Sequence, residues 1–248
     1  MRLTVLGAGP AYSNRQGALG ASYLVETAAT RILLDLGQGS FPRIFTRVDP
    51  AELDAVAVSH LHPDHFIDLV PLRHYLRWEL HPPRRVRVLG PRDLANRLDA
   101  LHAEPGFAAQ ALDIEPLGPE TVEIGNVDLE PHLVAHTDES YAFRISTHAG
   151  SPALVYTGDC SRTADLAELI RPGDVLLSEV SFGPGPVPPG AMHLDGVSVG
   201  ELAAATGVSR VLLTHLQMRF EPEPTVASVE SVYGGPVEFV WPGSSLEL

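Results

Sequence analysis

Residues 59–65, Ser-His-Leu-His-Pro-Asp-His, put three imidazoles and one carboxylate into six consecutive positions. Neutral imidazole nitrogens and anionic carboxylate oxygens are the donors that bind zinc and similar divalent ions. His60, His62, Asp64 and His65 therefore nucleate a candidate metal site. The run before them, 54–59, is apolar but too short for a helix, so it reads as a strand with the histidines at its C-terminal end. Residues two apart in an extended segment can face the same way, which lets His60 and His62 share one ion. Asp64 and His65 begin the following helix and project elsewhere, which suits a second ion.

Working outward, the runs 2–7, 21–27 and 31–37 read as strands, the last two joined by a short Ala/Thr link that suits a hairpin. Downstream, 66–80 carries apolar residues at helical spacing, 86–90 reads as a strand, and 91–102 as a helix with Pro91 in its first turn. Residues 111–159 form short strands broken by Gly, Pro and Asp. The remainder alternates helix 164–170, strand 174–180, helix 197–206, strand 210–216, helix 225–233 and strand 236–240. Two successive halves, each sheet-forming with helices, predict a layered α/β domain with helices outside two packed sheets. With no internal repeat or linker, residues 1–248 are expected to form one domain.

Elsewhere a polar residue again closes an apolar strand: Asp35 after 31–34, Asp159 after 153–158 and His215 after 210–214, while His136 follows the run 129–135. Parallel strands ending at one edge bring such residues together, which is where open α/β sheets place their sites.

Composition narrows the function classes. A formal charge of -14 repels polyanions and argues against a surface that grips long nucleic acid. All 17 basic residues are arginine, and seven of them, Arg73, Arg77, Arg84, Arg85, Arg87, Arg92 and Arg97, fall in one stretch that is either a solvated face or a local anion-attracting patch. No run approaches the roughly 18 apolar residues of a membrane span, the N-terminus reads as a strand rather than a secretory signal, and the lone Cys160 excludes an intramolecular disulfide. Cytoplasm is the default location.

The ordered set Asp35, His60-Leu-His62-Pro-Asp64-His65, His136, Asp159 and His215 resembles the metallo-β-lactamase superfamily across most of the chain. The resemblance implies a four-layer αββα sandwich with two divalent metals between its sheets. His60, His62 and His136 would hold one ion and Asp64, His65 and His215 the other, with Asp159 bridging and Asp35 orienting ligands from behind. Zinc is the default metal and manganese the rival.

A narrower resemblance follows from 136–145 (HTDESYAFRI), 154–159 (LVYTGD), 176–182 (LLSEVSF), His193 at the opening of a helix, and 212–215 (LLTH). These look like the ribonuclease Z branch, and, with the N-terminus and 59–69, closer still to its bacterial cyclic-nucleotide phosphodiesterases. In that branch a Glu and a His outside the metal shell assist cleavage; the matching positions are Glu179 and His193. Two cations can hold a hydroxide at neutral pH and offset charge on a phosphoryl group. His193, held by Glu179, would then protonate the departing alkoxide as general acid, and Asp64 would orient or deprotonate the attacking water.

The loop 181–192, with four Pro and three Gly, is either a stiff flap over the substrate or a plain surface loop. The Gly-rich loop 7–22, with Ser22, offers backbone amides to a phosphate. The ribonuclease branch follows its Asp-His with glycine-rich sequence and carries a long arm that grips transfer RNA; neither is visible here. The expected substrate is therefore a small phosphodiester such as cyclic AMP, with no stable nucleic-acid complex and no membrane; the resemblance is compatible with a homodimer. The alternatives are an acyl hydrolase (lactonase or thioesterase) on the same metal centre, a 3′-processing endonuclease for transfer RNA, and a binding protein that keeps the fold alone.

Overall fold

The computed structural model describes residues 1–15, 17–150 and 152–248. Strands β1 (Arg2–Gly7), β2 (Ser22–Glu26) and β3 (Arg31–Leu34) form an antiparallel meander, and β4 (Ala55–Ala57), β5 (Val86–Gly90) and β6 (Leu112–Pro116) continue the same sheet in parallel. The predicted hairpin joins β2 to β3, closed by Thr27 N–H donating to the Thr30 carbonyl at 2.9 Å. The second sheet mirrors this plan. Strands β7 (Val122–Ile124), β8 (Val127–Leu133), β9 (Tyr141–Thr147) and β10 (Leu154–Tyr156) run antiparallel, and β11 (Val175–Glu179), β12 (Arg210–Thr214) and β13 (Val237–Phe239) extend β10 in parallel.

The central parallel strands β3, β4 and β12 are apolar apart from their end residues because both of their faces are covered. In β3, Ile32 and Leu34 point between the sheets while Leu33 points to the helices outside. In β12, Leu212 points inward while Val211 and Leu213 point outward. Antiparallel β8 instead alternates, burying Val127, Leu129 and Pro131 and leaving Asp128, Glu130 and His132 partly exposed. Outside the first sheet lie α1 (Phe41–Ile44), α2 (Pro63–Phe66), α3 (Leu69–His74) and α4 (Leu94–His102); α5 (Thr163–Ala167), α6 (Gly196–Thr206) and α7 (Pro222–Glu230) cover the second. The predicted αββα sandwich is the fold. Among the described residues, no helix is long and apolar enough to cross a membrane.

Four expectations are corrected. The two sheets are not built from strictly successive halves of the chain, because β14 (Ser245–Glu247) returns to pair with β1 at the edge of the first sheet. The continuous helix over 66–80 is broken at Ile67–Asp68 and ends in a wide π-turn over Tyr75–Glu79. Pro71 has no N–H to donate and its ring opposes the carbonyl four residues back, so a helix must restart just before it; Asp68 uses its carboxylate to accept from Phe41 N–H instead. Pro91 lies ahead of α4, where its carbonyl accepts from Leu94 N–H at 3.0 Å. His193 lies before α6, whose N-cap is Asp195, accepting from Ser198 N–H at 2.8 Å.

The turn that carries the histidines is also stitched to the first sheet by backbone hydrogen bonds. Ala21 N–H donates to the Asp64 carbonyl and Leu36 N–H to the His65 carbonyl, both at 2.8 Å. The approach is close enough that a Cβ on Gly37 would stand 1.8 Å from the Asp64 carbonyl oxygen. Gly37→Ala is therefore expected to destabilise the fold by about 1–3 kcal/mol, as overpacking does, seen as a lower urea midpoint; an unchanged midpoint would contradict this packing.

Candidate metal centre

Every candidate ligand stands at the C-terminal end of a strand or in the turn that follows one. Asp35 follows β3, His60 to His65 follow β4, His136 follows β8, Asp159 follows β10, and His215 follows β12. Two of these positions, Asp35 with φ 56° and His215 with φ 58°, adopt the left-handed backbone, and Gly158, with φ 55°, precedes Asp159. This conformation is unfavourable for residues with a Cβ. It turns the chain sharply enough to swing the side chain back across the strand ends.

The donors converge in two groups. His60 Nε2 and His136 Nε2 lie 3.0 and 3.1 Å from His62 Nδ1, and each lies 3.7 Å from Asp159 Oδ2. His215 Nε2 lies 3.3 Å from both His65 Nε2 and Asp64 Oδ2, and His65 Nε2 is 3.5 Å from Asp159 Oδ1. A tetrahedral ion with arms of about 2.0–2.1 Å has donor–donor edges of about 3.4 Å. Asp159 reaches both groups, and among the described residues its buried Oδ1 has no hydrogen-bond partner. An orphaned buried carboxylate oxygen facing imidazole nitrogens fits a divalent cation.

A second layer fixes the tautomers. His136 Nδ1–H donates to the Met192 carbonyl at 2.8 Å and His65 Nδ1–H to Asp35 Oδ2 at 2.7 Å. Ser59 Oγ donates to Asp35 at 2.8 Å and so accepts from His60 Nδ1–H at 3.1 Å. Ser181 Oγ donates to Glu179 at 2.6 Å and accepts from His215 Nδ1–H at 3.0 Å. With each Nδ1 proton committed, the Nε2 lone pair faces inward, as a ligand requires. His62, which stands at the N-cap of α2, is exposed and presents Nδ1 instead.

Burial pushes the pKa of His60 well below the ordinary value, reinforced by the neighbouring His65, and burial likewise lowers His136. Burial also opposes a charge on His65, but Asp159 and Asp35 outweigh it and hold the pKa well above the usual value. The field at that spot thus favours positive charge, whether a proton or a metal ion. Asp159 is held well below the carboxylate range because His215 and His65 overcome its burial.

A cavity of about 280 Å³ opens beside these groups, lined in part by His62, Asp64, Asp159, His193 and His215. His193 Nδ1 sits 3.0 Å from Glu179 Oε1. Burial disfavours its charged form, yet the Glu179 carboxylate and Asp159 raise its pKa to about 9. His193 also comes within ligand reach of Asp159 and His215, but the nitrogen it brings to 3.8 Å from Asp159 is the same Nδ1 that Glu179 engages, whereas His60, His65 and His136 present Nε2 to Asp159. All ten residues singled out in the sequence, including Asp35, Glu179 and His193, meet in this one region.

Other expectations fare differently. Ser22 is fully buried in β2 and cannot touch a phosphate; Gln16, in the same loop, lies outside the described residues. The arginine cluster is largely neutralised: Arg85, Arg87, Arg92 and Arg97 pair with Asp113, Glu115, Glu139 and Asp93, while Arg73 donates to the Phe107 carbonyl. The loop 181–192 is pinned by Val187 N–H to Asp195, Gly196 N–H to the Gly183 carbonyl and Met192 to His136, and only its first residue, Ser181, lines the cavity. In this arrangement it lies beside the cavity and does not cover it. Sequence reading missed Ser59, Ser181 and Tyr156, whose hydroxyl donates to Asp35 at 2.6 Å; each lies within a strand or next to a named residue, with no motif of its own.

Residues 30–216 match the family model described as Beta-lactamase superfamily domain. The chain belongs to the beta-lactamase superfamily. An uncharacterized protein of Mycobacterium leprae is 32% identical over 256 residues, covering 100% of this chain and 89% of its own length. The probable metallo-hydrolase YhfI of Bacillus subtilis is 26% identical (98% and 100% covered), and ribonuclease Z of Pyrobaculum arsenaticum 27% (89% and 88%). Crystal structures of YhfI (TM-score 0.88, 23% identity, 99% and 98% covered) and of yeast PDE1 (0.74, 13%, 100% and 99%) share the fold. The chain is thus a superfamily member of metallo-hydrolase type, with His/Asp clusters of metal-binding chemistry.

Three outcomes test the centre. Asp35→Asn keeps the shape but weakens the hold on the His65 tautomer, and is expected to lower metal affinity by about 10–100-fold in competition with a chromophoric chelator. His62→Ala should lose metal on elemental analysis, and a strong chelator should lower the melting temperature of the parent.

Proposed function

We propose that the chain is a binuclear metal-dependent phosphodiesterase acting on a small phosphodiester, with a cyclic nucleotide as the first candidate substrate. The observation that carries this reading is the Glu179–His193 pair beside the metal-ligand cluster. His193 lines the cavity, its Nδ1 is engaged by Glu179, and among the described residues its Nε2 has no partner. Cleaving a phosphodiester releases an alkoxide that needs a proton, and a hydrogen-bonded, charged imidazole beside the reaction centre supplies it. Glu179 is itself held by Cys160 N–H and Ser181 N–H, both at 3.0 Å, so the acid is rigidly aimed.

In this reading His60, His62 and His136 hold one ion, Asp64, His65 and His215 the other, and Asp159 lies between them; zinc is the first expectation and manganese its rival. Bound there, two divalent ions supply acidified water at neutral pH and positive charge against the phosphoryl oxygens. Asp64, at the floor of the cavity, orients the attacking water and accepts its proton. His193 gives its proton to the departing oxygen, and Glu179 stabilises the charge His193 carries before that transfer. The likeness to ribonuclease Z, whose name denotes cleavage of RNA, supports phosphodiester chemistry. The paired arginines and the charge of -14 favour a small substrate over a stable nucleic-acid complex.

The leaving group decides the matter. His193→Ala should retain the parent's metal content and lose about 10²–10⁴-fold in rate on a cyclic nucleotide, but far less on bis-p-nitrophenyl phosphate, whose phenolate departs unprotonated. Equal rates for variant and parent on both esters would remove the acid role. Turnover of a homoserine lactone or thioester with no phosphodiester cleavage would replace the reading with acyl hydrolysis.

A further inference from the structure

Part of the cavity wall is built by the loop between β1 and β2, through Pro10, Ala11 and Tyr12. Tyr12 is 70% exposed, and among the described residues its ring and hydroxyl have no partner. A lone exposed aromatic is ordinary on a protein surface. This one differs because its loop is clamped on both sides of it. Gln38 Nε2 donates to the Pro10 and Ala11 carbonyls, each at 3.4 Å, and Gly9 N–H donates to the Leu19 carbonyl at 2.7 Å. Beyond Tyr12, the Arg15 guanidinium donates to the carbonyls of Leu216 (3.0 Å), Gln217 (3.4 Å) and Phe220.

The same arginine therefore ties the tyrosine's loop to the segment after His215. That segment contributes Gln217 to the cavity wall, where its side-chain amide, with two donors and an acceptor, makes no hydrogen bond among the described residues. A flat apolar ring and a free amide thus face one cavity whose floor carries Asp64, Asp159 and His215. A phosphodiester has two substituents, and they leave phosphorus in different directions. The depression on the far side of His62 sets three carboxylates, Asp93, Asp138 and Glu139, against Arg97 and has no aromatic lining besides His62.

We infer that Tyr12 and Gln217 form a base subsite, Tyr12 stacking on a nucleobase and Gln217 hydrogen-bonding to its edge, so that the substrate is a nucleoside phosphodiester. The inference rests on the phosphodiesterase reading and narrows its substrate. A base stacks on an aromatic face whatever its identity, and a tyrosine on a clamped loop loses little conformational freedom on binding. The amide supplies the preference among bases.

The test compares kcat/KM for adenosine 3′,5′-cyclic monophosphate with that for ribose 3′,5′-cyclic phosphate, which lacks the base, using metal-loaded protein. The parent should prefer the nucleotide, and Tyr12→Ala should lower that preference about tenfold through KM, while Tyr12→Phe retains it. Gln217→Leu should shift the ratio of adenine to guanine nucleotides at least about threefold. Tyr12 is exposed, so unchanged melting and metal content should accompany these effects. If the parent cleaves both diesters equally, or Tyr12→Ala leaves the ratio in place, the base subsite is wrong and the phosphodiesterase reading survives. If the parent cleaves bis-p-nitrophenyl phosphate but neither cyclic diester, the subsite is wrong and the phosphodiesterase reading survives; if it cleaves none of the three, the phosphodiesterase reading fails and the subsite with it.

Discussion

A carboxylate taken out of water is destabilised by several kcal/mol unless its oxygens are satisfied, and Asp35 is fully buried. It accepts from Ser59 N–H at 2.6 Å, Ser59 Oγ at 2.8 Å, His65 Nδ1 at 2.7 Å and Tyr156 Oη at 2.6 Å. Ser59 and His65 belong to the turn after β4 in the first sheet, whereas Tyr156 ends β10 in the second. One side chain therefore sets the distance between the sheets at the edge where the donors gather. Glu179 does the corresponding work in the second sheet, binding Cys160, Ser181 and His193.

These two carboxylates explain why the histidines are poised rather than merely close. Converging imidazoles repel through their lone pairs, and their own attractions would not hold them together. The outward protons are consumed by Asp35, Ser59, Ser181 and the Met192 carbonyl, so the inward nitrogens are left with nothing to do but coordinate. His193 is the informative exception. It shares the neighbourhood of the ligands, yet the nitrogen it brings nearest Asp159 is the Nδ1 that Glu179 engages, whereas His60, His65 and His136 bring Nε2 there and commit Nδ1 elsewhere.

The sandwich was legible because covered parallel strands must be apolar on both faces, as 31–34 and 210–214 are, and because a polar residue closing such a strand marks the functional edge. The spacing of His60, His62, Asp64 and His65 made the donors legible by chemistry; His136, Asp159, His215, Glu179 and His193 needed resemblance as well, since a single His or Asp after a strand has no spacing to read. What escaped had long-range causes. Strand β14 is three residues long and partly exposed, and its identity depends on β1, more than two hundred residues away. The arginine stretch looked cationic because its carboxylate partners on β6 and the loop after β8 are remote in sequence. The break after Phe66 turned on one proline inside an otherwise regular apolar period.

The left-handed backbone of Asp35 and His215 has a consequence for how this chain can change. Each such residue with a side chain is disfavoured by about 1–3 kcal/mol, out of a total stability that for folded chains is only about 5–15 kcal/mol. Glycine would relieve the strain at either position while removing a group from the site. Selection for robustness alone would thus erode the centre, and an aspartate and a histidine at two of the three left-handed non-glycine positions among the described residues mark where durability has yielded to chemistry.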